Sequence, residues 1–146
     1  MALMISTGLA SGIAGADSLI NLMDGGEIRL YSGAVPASAD AAIGSATLLV
    51  TIKKDGLDPL VLTADGPAVR RPTGDTWKGT PVVTGAATFF RHVQAADTDD
   101  ASTGDVRIQG TVGLSIASNL ALIDVNFTSG VERTLSAYSV SIPLKA

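Results

Sequence analysis

The chain of 146 residues carries one histidine and no cysteine, so its capacity for chemistry is quickly surveyed. His92 stands in the run TFFRHVQ. Serine and aspartate are plentiful enough for a Ser-His-Asp triad, but no G-x-S-x-G elbow presents a serine, and no thiolate or second imidazole can share a metal with His92. A partly exposed, hydrogen-bonded histidine beside Arg91 on a strand face is expected. The densest group of acids is Asp97, Asp99, Asp100 and Asp105, in DTDDASTGD. Clustered carboxylates bind calcium through oxygen, but Ala101 and Ser102 occupy positions where the D-x-[DN]-x-[DN]-G-x5-E loop needs a ligand and a glycine, so a solvated turn is predicted. Paired-carboxylate glycoside chemistry wants aromatic platforms, and the aromatic side chains number only six, several of which a core must absorb. Gly74, Gly79 and Gly85 follow no phosphate-cradling pattern. No enzyme, metal or cofactor is expected.

Groups suited to binding are more evident. Trp77, in PTGDTWKGTP, is either an interface anchor or a plug at one end of the core. With Asp75 and Lys78 beside it, an exposed Trp77 would also suit a sugar-stacking face. Arg70 and Arg71 precede it and can pair with acids on a partner. The Ala/Ser/Asp-rich stretch 33–45, containing Val35 and Pro36, is long for a connection in a compact domain and is a candidate contact segment. The net charge of −4 and the scarcity of basic clusters argue against a nucleic-acid partner. Charged residues make up 16% against about 25% in ordinary globular proteins, which leaves a surface rich in small neutral side chains.

These residues need a scaffold, and hydrophobic periodicity supplies one. Leu9, Ile13, Ala16, Ile20 and Met23 recur at helical spacing, but Gly8, Gly12 and Gly15 each cost about 1 kcal/mol of helix propensity. The first half is therefore read as an arm and only residues 17–24 as a short helix, capped by Asp17 or Ser18 and stopped by Asp24-Gly25-Gly26. From Glu27 the period becomes two. Ile28 and Leu30 face the core while Glu27, Arg29 and Tyr31 face water. Val106, Ile108, Gly110 and Val112 alternate with Asp105, Arg107, Gln109 and Thr111 in the same one-face-in manner.

Further strands are predicted at 47–53, 60–63, 81–84, 87–94, 120–127 and 131–142, the last two joined as a hairpin by Thr128-Ser129-Gly130. Many short strands without strand-helix alternation indicate an all-β, jelly-roll-like antiparallel β-sandwich. Residues 27–146 form the sandwich domain and 1–26 the arm and short helix. The leading residues lack the basic start and the unbroken apolar run of a secretion signal, and no stretch approaches the length of a membrane span, so no membrane partner is expected.

The segment order STGLASGI, IRLYSGAVPASADAAIGSATLLVTI, GDTWKGTPVVTGAATFFRHV, VRIQGTVG and YSVSIPLKA resembles small virion structural proteins of tailed bacteriophages, the type that decorates or cements the head. Tyr31–Ala42 and Thr84–Arg91 carry most of the likeness, which extends over nearly the whole chain. The resemblance implies a non-enzymatic β-sandwich present in many copies on the outer capsid surface of a virion. Its partners would be the major capsid protein and copies of itself, as a dimer or trimer. In that setting Leu3, Ile5, Leu9 and Ile13 form the apolar face of a clasping arm. Val35, Pro36, Arg70, Arg71 and Trp77 complete the predicted contact set. A collar or fibre-attachment protein of the neck or tail, and a carbohydrate-binding adhesion module, are the alternatives.

Overall fold

The computed structural model describes residues 3–115 and 119–141. In chain order these hold β1 (Met4–Ile5), α1 (Thr7–Ala14), α2 (Leu19–Met23), β2 (Glu27–Ser32), β3 (Thr47–Lys54), β4 (Thr63–Asp65), β5 (Ala68–Arg70), β6 (Trp77–Gly79), β7 (Gly85–Ala86), β8 (Phe89–Val93), β9 (Arg107–Gly113), β10 (Leu120–Ala121), β11 (Asn126–Phe127), β12 (Arg133–Leu135) and β13 (Ser139–Ser141). One large sheet runs β1-β9-β8-β2-β3-β6-β12, with β10 added in parallel to β9. A second sheet runs β13-β5-β4, and β11 pairs with β7. Every other pairing is antiparallel, so the chain is an all-β, sandwich-like domain.

The apolar positions of the long strands meet as the alternation requires. Ile28 lies opposite His92 and Ile52, His92 opposite Ile108, and Leu30 opposite Phe90 and Val50. Leu9, Leu19 and Met23 from the helices join this core, as do Leu60, Leu62, Val69, Trp77, Phe127, Leu135, Tyr138 and Val140. Each fully buried large side chain contributes roughly 1.5–3 kcal/mol relative to exposure.

The N-terminal segment departs from the predicted arm. Met4 and Ile5 add a strand to β9, and Ser6 caps α1 by accepting from the Leu9 amide at 3.1 Å. The same hydroxyl accepts from the Arg107 amide at 2.9 Å and donates to the Asp105 carbonyl at 2.7 Å. Glycines that look like helix breakers are close-approach positions here. A Cβ on Gly8 would stand 2.5 Å from the Asp105 and Gly104 carbonyl oxygens, and one on Gly12 would stand 2.7 Å from the Leu22 side chain. Helix propensity is sacrificed so that α1 can lie flat on the 104–105 loop and on α2. The predicted second helix forms as Leu19–Met23, with Ser18 accepting from the Asn21 amide.

Several strand boundaries also move. Residues 81–84 bend instead of extending, and the strands form to either side of them, Trp77–Gly79 pairing with β3 and β12 and Gly85–Ala86 with β11. Leu60 and Leu62 are core residues in a non-strand segment, and the strand follows as one arm of the β4–β5 hairpin. The 120–127 and 131–142 segments each break into two short strands. Residue 142 lies outside the described residues. The two segments do not form the predicted hairpin with each other: β10 and β11 pair with β9 and β7, while β12 and β13 pair with β6 and β5.

Candidate functional site

The largest departure from expectation is the face of the central sheet predicted to be wet. Cross-strand register stacks Glu27, Val93 and Arg107 in one row, Arg29, Arg91 and Gln109 in the next, and Tyr31, Phe89 and Thr111 in a third. Arg91, Arg107 and Gln109 are fully buried, and Arg29 is 8% exposed. Tyr31 and Phe89 stack with ring centroids 4.8 Å apart. Three guanidiniums on neighbouring strands repel one another, and such a layer survives burial only with carboxylates and acceptors around it, here nearly complete: among the described residues Arg91 Nη1 and Asp99 Oδ1 face each other at 3.7 Å without a hydrogen bond.

Two loops supply the partners. From the 94–106 loop, Asp97 takes Arg107 through both oxygens, at 2.6 Å from Nε and 2.8 Å from Nη2. This is the fork geometry that makes arginine–carboxylate pairs strong. Asp99 accepts from Arg29 at 2.9 Å and from the Tyr31 hydroxyl at 2.6 Å, and its other oxygen lies 3.7 Å from Arg91. Glu27 holds Arg29 from within the sheet at 2.7 Å. From the 33–45 loop the partners are backbone carbonyls. Ala41 accepts from Arg91, Ala39 from Arg107, and Pro36 from the Gln109 amide at 2.9 Å. That loop is fixed to α1 as well, because Asp40 receives the Thr7 amide and hydroxyl.

The electrostatics follow from this pairing. Burial pulls the Arg107 and Arg29 guanidiniums toward lower pKa, but the bonds and charges of Asp97, and of Glu27 with Asp99, outweigh it and leave both raised. For Asp97 burial pushes upward, and the Arg107 bond, the Asp99 amide and the charges of Arg107 and Arg29 together more than reverse it, so the carboxyl lies below its ordinary value. Burial and the Asp99 bond push the Tyr31 phenol far above its usual range. Arg29, Arg107 and Asp97 thus stay in the charge states that tie loop to sheet, whereas burial and the neighbouring Arg107 charge lower the pKa of Arg91, whose nearest carboxylate oxygen is 3.7 Å away. The acidic cluster is therefore a solvated turn only in part, since Asp97 and Asp99 turn inward to the arginines while Asp100 is exposed and the Asp105 side chain is 47% exposed, and among the described residues no three of His, Asp and Glu converge as metal ligands. The 33–45 loop is a cover for the arginine layer, with its own Ala39 only 1% exposed.

His92 differs from its expected position. It lies on the apolar face, fully buried, with Nδ1 2.9 Å from the Tyr138 hydroxyl and the two rings edge to face. Burial lowers its pKa from 6.5 to about 4, and the nearby Met23 backbone offsets only part of this. A neutral, enclosed imidazole reaches no substrate.

Of the predicted contact residues, Leu9 and Trp77 are each 0% exposed. Trp77 is the plug of the two readings, packed 5.7 Å from Tyr138, and offers no stacking face to a sugar. Val35 and Pro36 are half-buried in the cover loop, and of the four predicted arm contacts Leu3, Ile5, Leu9 and Ile13, Ile5 and Ile13 are exposed, at 48% and 36%. Leu3, Arg70 and Arg71 are brought together along one surface hollow of about 470 Å³. Sequence reasoning missed Arg29, Arg91, Arg107, Asp97 and Asp99 as a unit. The available signal was the equal placement of arginines at outward positions of three strands that all count as sheet neighbours, opposite an aspartate-rich loop. Among the described residues no helix is long and apolar enough to cross a membrane. No family model matches the chain, and no curated protein or solved structure matches it at a significant level.

Proposed function

We propose that this chain is a virion structural protein of a tailed bacteriophage. In this reading it decorates the outer head, where copies of a small homo-oligomer stabilise contacts between major capsid subunits. The jelly-roll form of the sandwich belongs to the same proposal. One observation carries it: the groups with chemical potential are consumed inside the fold, while large apolar side chains stand in water. His92, Asp97 and the arginine layer hold the domain together, and Leu57, Val82, Leu114 and Ile123 are 81%, 68%, 66% and 97% exposed. Each of these side chains is available to be buried against a protein partner. The resemblance of residues 31–42 and 84–91 to phage decoration proteins is part of the same proposal. Modest affinity per copy suffices, because an oligomer touching several capsid subunits gains effective concentration with each contact.

The structure changes how such contacts would form. An arm released as a clasp would have to leave β9 and pull Leu9 from the core, so the folded surface is the better candidate. Cryo-electron microscopy of the assembled particle tests the reading: hundreds of copies on the outer shell are expected, following the symmetry of the capsid lattice. A ring of copies at the neck or tail would replace the head assignment, and absence from the particle would overturn the proposal.

A further inference from the structure

The turn Thr128-Ser129-Gly130 reverses the chain, yet the arms it joins stay apart. Among the described residues, β10 and β11 on the outgoing arm and β12 and β13 on the returning arm each have a ladder on one side only. Between the arms lie two hollows, of about 470 and 480 Å³, which share Ala121 and Ser136 and so run into one another. Leu120, Tyr138 and Val140, nearly buried, line the first, and Ile123 and Val131 stand exposed along the second. Strands without a second ladder line this slot, and the Asp124, Asn126 and Ser136 carbonyls along it are held by arginine side chains instead of by backbone amides.

The charge along the slot is specific. Arg71 and Arg133 line it together with Arg70, which is paired with Asp65, and among the described lining residues Asp124 is the one carboxylate, in a chain whose net charge is −4. Arg133 donates to the Asn126 and Asp124 carbonyls at 2.6 and 2.7 Å, and Arg71 to the Ser136 carbonyl at 2.8 Å. Neither makes an ion pair among the described residues. Guanidiniums held by neutral carbonyls gain by exchanging them for carboxylates.

We propose that this cleft is a strand-acceptor site for an extended, acidic segment of a partner protein. The segment adds a strand between the splayed arms, its backbone pairing with their open edges. Alternate side chains turn toward Leu120 and Val140, and its carboxylates meet Arg71 and Arg133. About eight residues, at about 3.3 Å each, span the outgoing arm. A nucleic acid fits less well, because the aromatic rings at the cleft are buried and cannot stack with bases. The inference stands on the cleft alone and holds whether or not the chain belongs to a virion.

The test uses the full chain and three synthetic octapeptides: alternating valine and aspartate, alternating valine and lysine, and the aspartate peptide with alternate amides N-methylated. Hydrogen exchange should show the aspartate peptide protecting amides in 120–127 and 133–141, with affinity at least about tenfold above the lysine peptide. N-methylation should abolish protection, and Arg133→Gln should lower affinity about tenfold. Equal binding of the acidic and basic peptides, retained binding after N-methylation, or no protection of these segments at millimolar peptide would each overturn the proposal. The N-methylated arm of the test needs no variant, so it holds even if Arg133→Gln perturbs the fold.

Discussion

The two faces of the central sheet are both buried, and they are buried by opposite means. On one face Ile28, Leu30, Phe90 and Ile108 pack against side chains from the helices and the second sheet. On the other, Arg29, Arg91 and Arg107 are enclosed by loops that contribute mostly carbonyls and carboxylates. Apolar packing is tolerant of shape and loses stability in proportion to what is removed. An ionic layer is all or none, since deleting one partner strands the other in a low-dielectric setting. The domain therefore combines a forgiving face with a brittle one, and the brittle face specifies where two long loops lie.

The sharpest way to break this contrast is Arg107→Met. It leaves Asp97 buried without its fork and frees the Ala39 and Asp100 carbonyls, so a loss of about 3–5 kcal/mol is expected in urea denaturation. Adding Asp97→Leu to the same chain should restore much of that loss, because a well-packed apolar pair often replaces a buried ion pair without net cost. If the double variant were as unstable as the sum of the singles, the layer would not be coupled in the way the geometry requires.

On the apolar face, Leu9→Ala should cost about 2–5 kcal/mol, while Ile13→Ala, one turn along the same helix and 36% exposed, should cost far less. Equal small effects would mean that α1 is a detachable arm after all. A deletion of residues 1–16 is for the same reason expected to unfold the domain, not merely to weaken its contacts.

Much of this was legible in the sequence, up to a definite point. Period-two alternation in 27–31 and 105–112 correctly grouped the residues sharing a face. It says nothing about what covers the second face, and a cover made of backbone carbonyls from Ala39 and Ala41 leaves no side-chain signature. The helical spacing of Leu9 and Ile13 was present too, but Gly8 and Gly12 weigh against a helix when propensity is counted alone. Their value lies in tertiary approach, which only the packed neighbour reveals. The hairpin at 128–130 failed for a related reason: turn residues fix a reversal, whereas pairing of the arms depends on competing edges elsewhere.

Acid sharpens the contrast between the faces by separating them in pH. His92 has a folded pKa of about 4 and an unfolded value of 6.5, so the unfolded chain takes up the proton first. Its contribution is fully present above about pH 6.5, declines as pH falls toward 4, and levels off below, a change on the order of 3 kcal/mol. Asp97, held below 3.8 by Arg107, contributes fully above that value and is lost only as pH falls through its lower folded pKa. Stability measured by urea titration should thus fall in two stages, the upper from the apolar face and the lower from the ionic one. His92→Asn, whose amide can still bond to the Tyr138 hydroxyl, should flatten the upper stage and leave the lower in place. An upper stage that persists in this variant would assign it to another group.

The smallest effect belongs to the ion pair outside both faces. Arg70 and Asp65 meet at 3.1 Å across the β4–β5 hairpin, with side chains 37% and 66% exposed. Water already solvates both, and ordering two flexible groups offsets most of the Coulomb gain, so Asp65→Asn should shift stability by less than about 1 kcal/mol. The same chemistry that costs several kcal/mol to disturb at Arg107 is nearly neutral at Arg70, because only the first pair has been removed from water. A large effect at Asp65 would mean that burial is not what separates the two, and the distinction between a brittle interior layer and an ordinary charged surface would have to be drawn elsewhere.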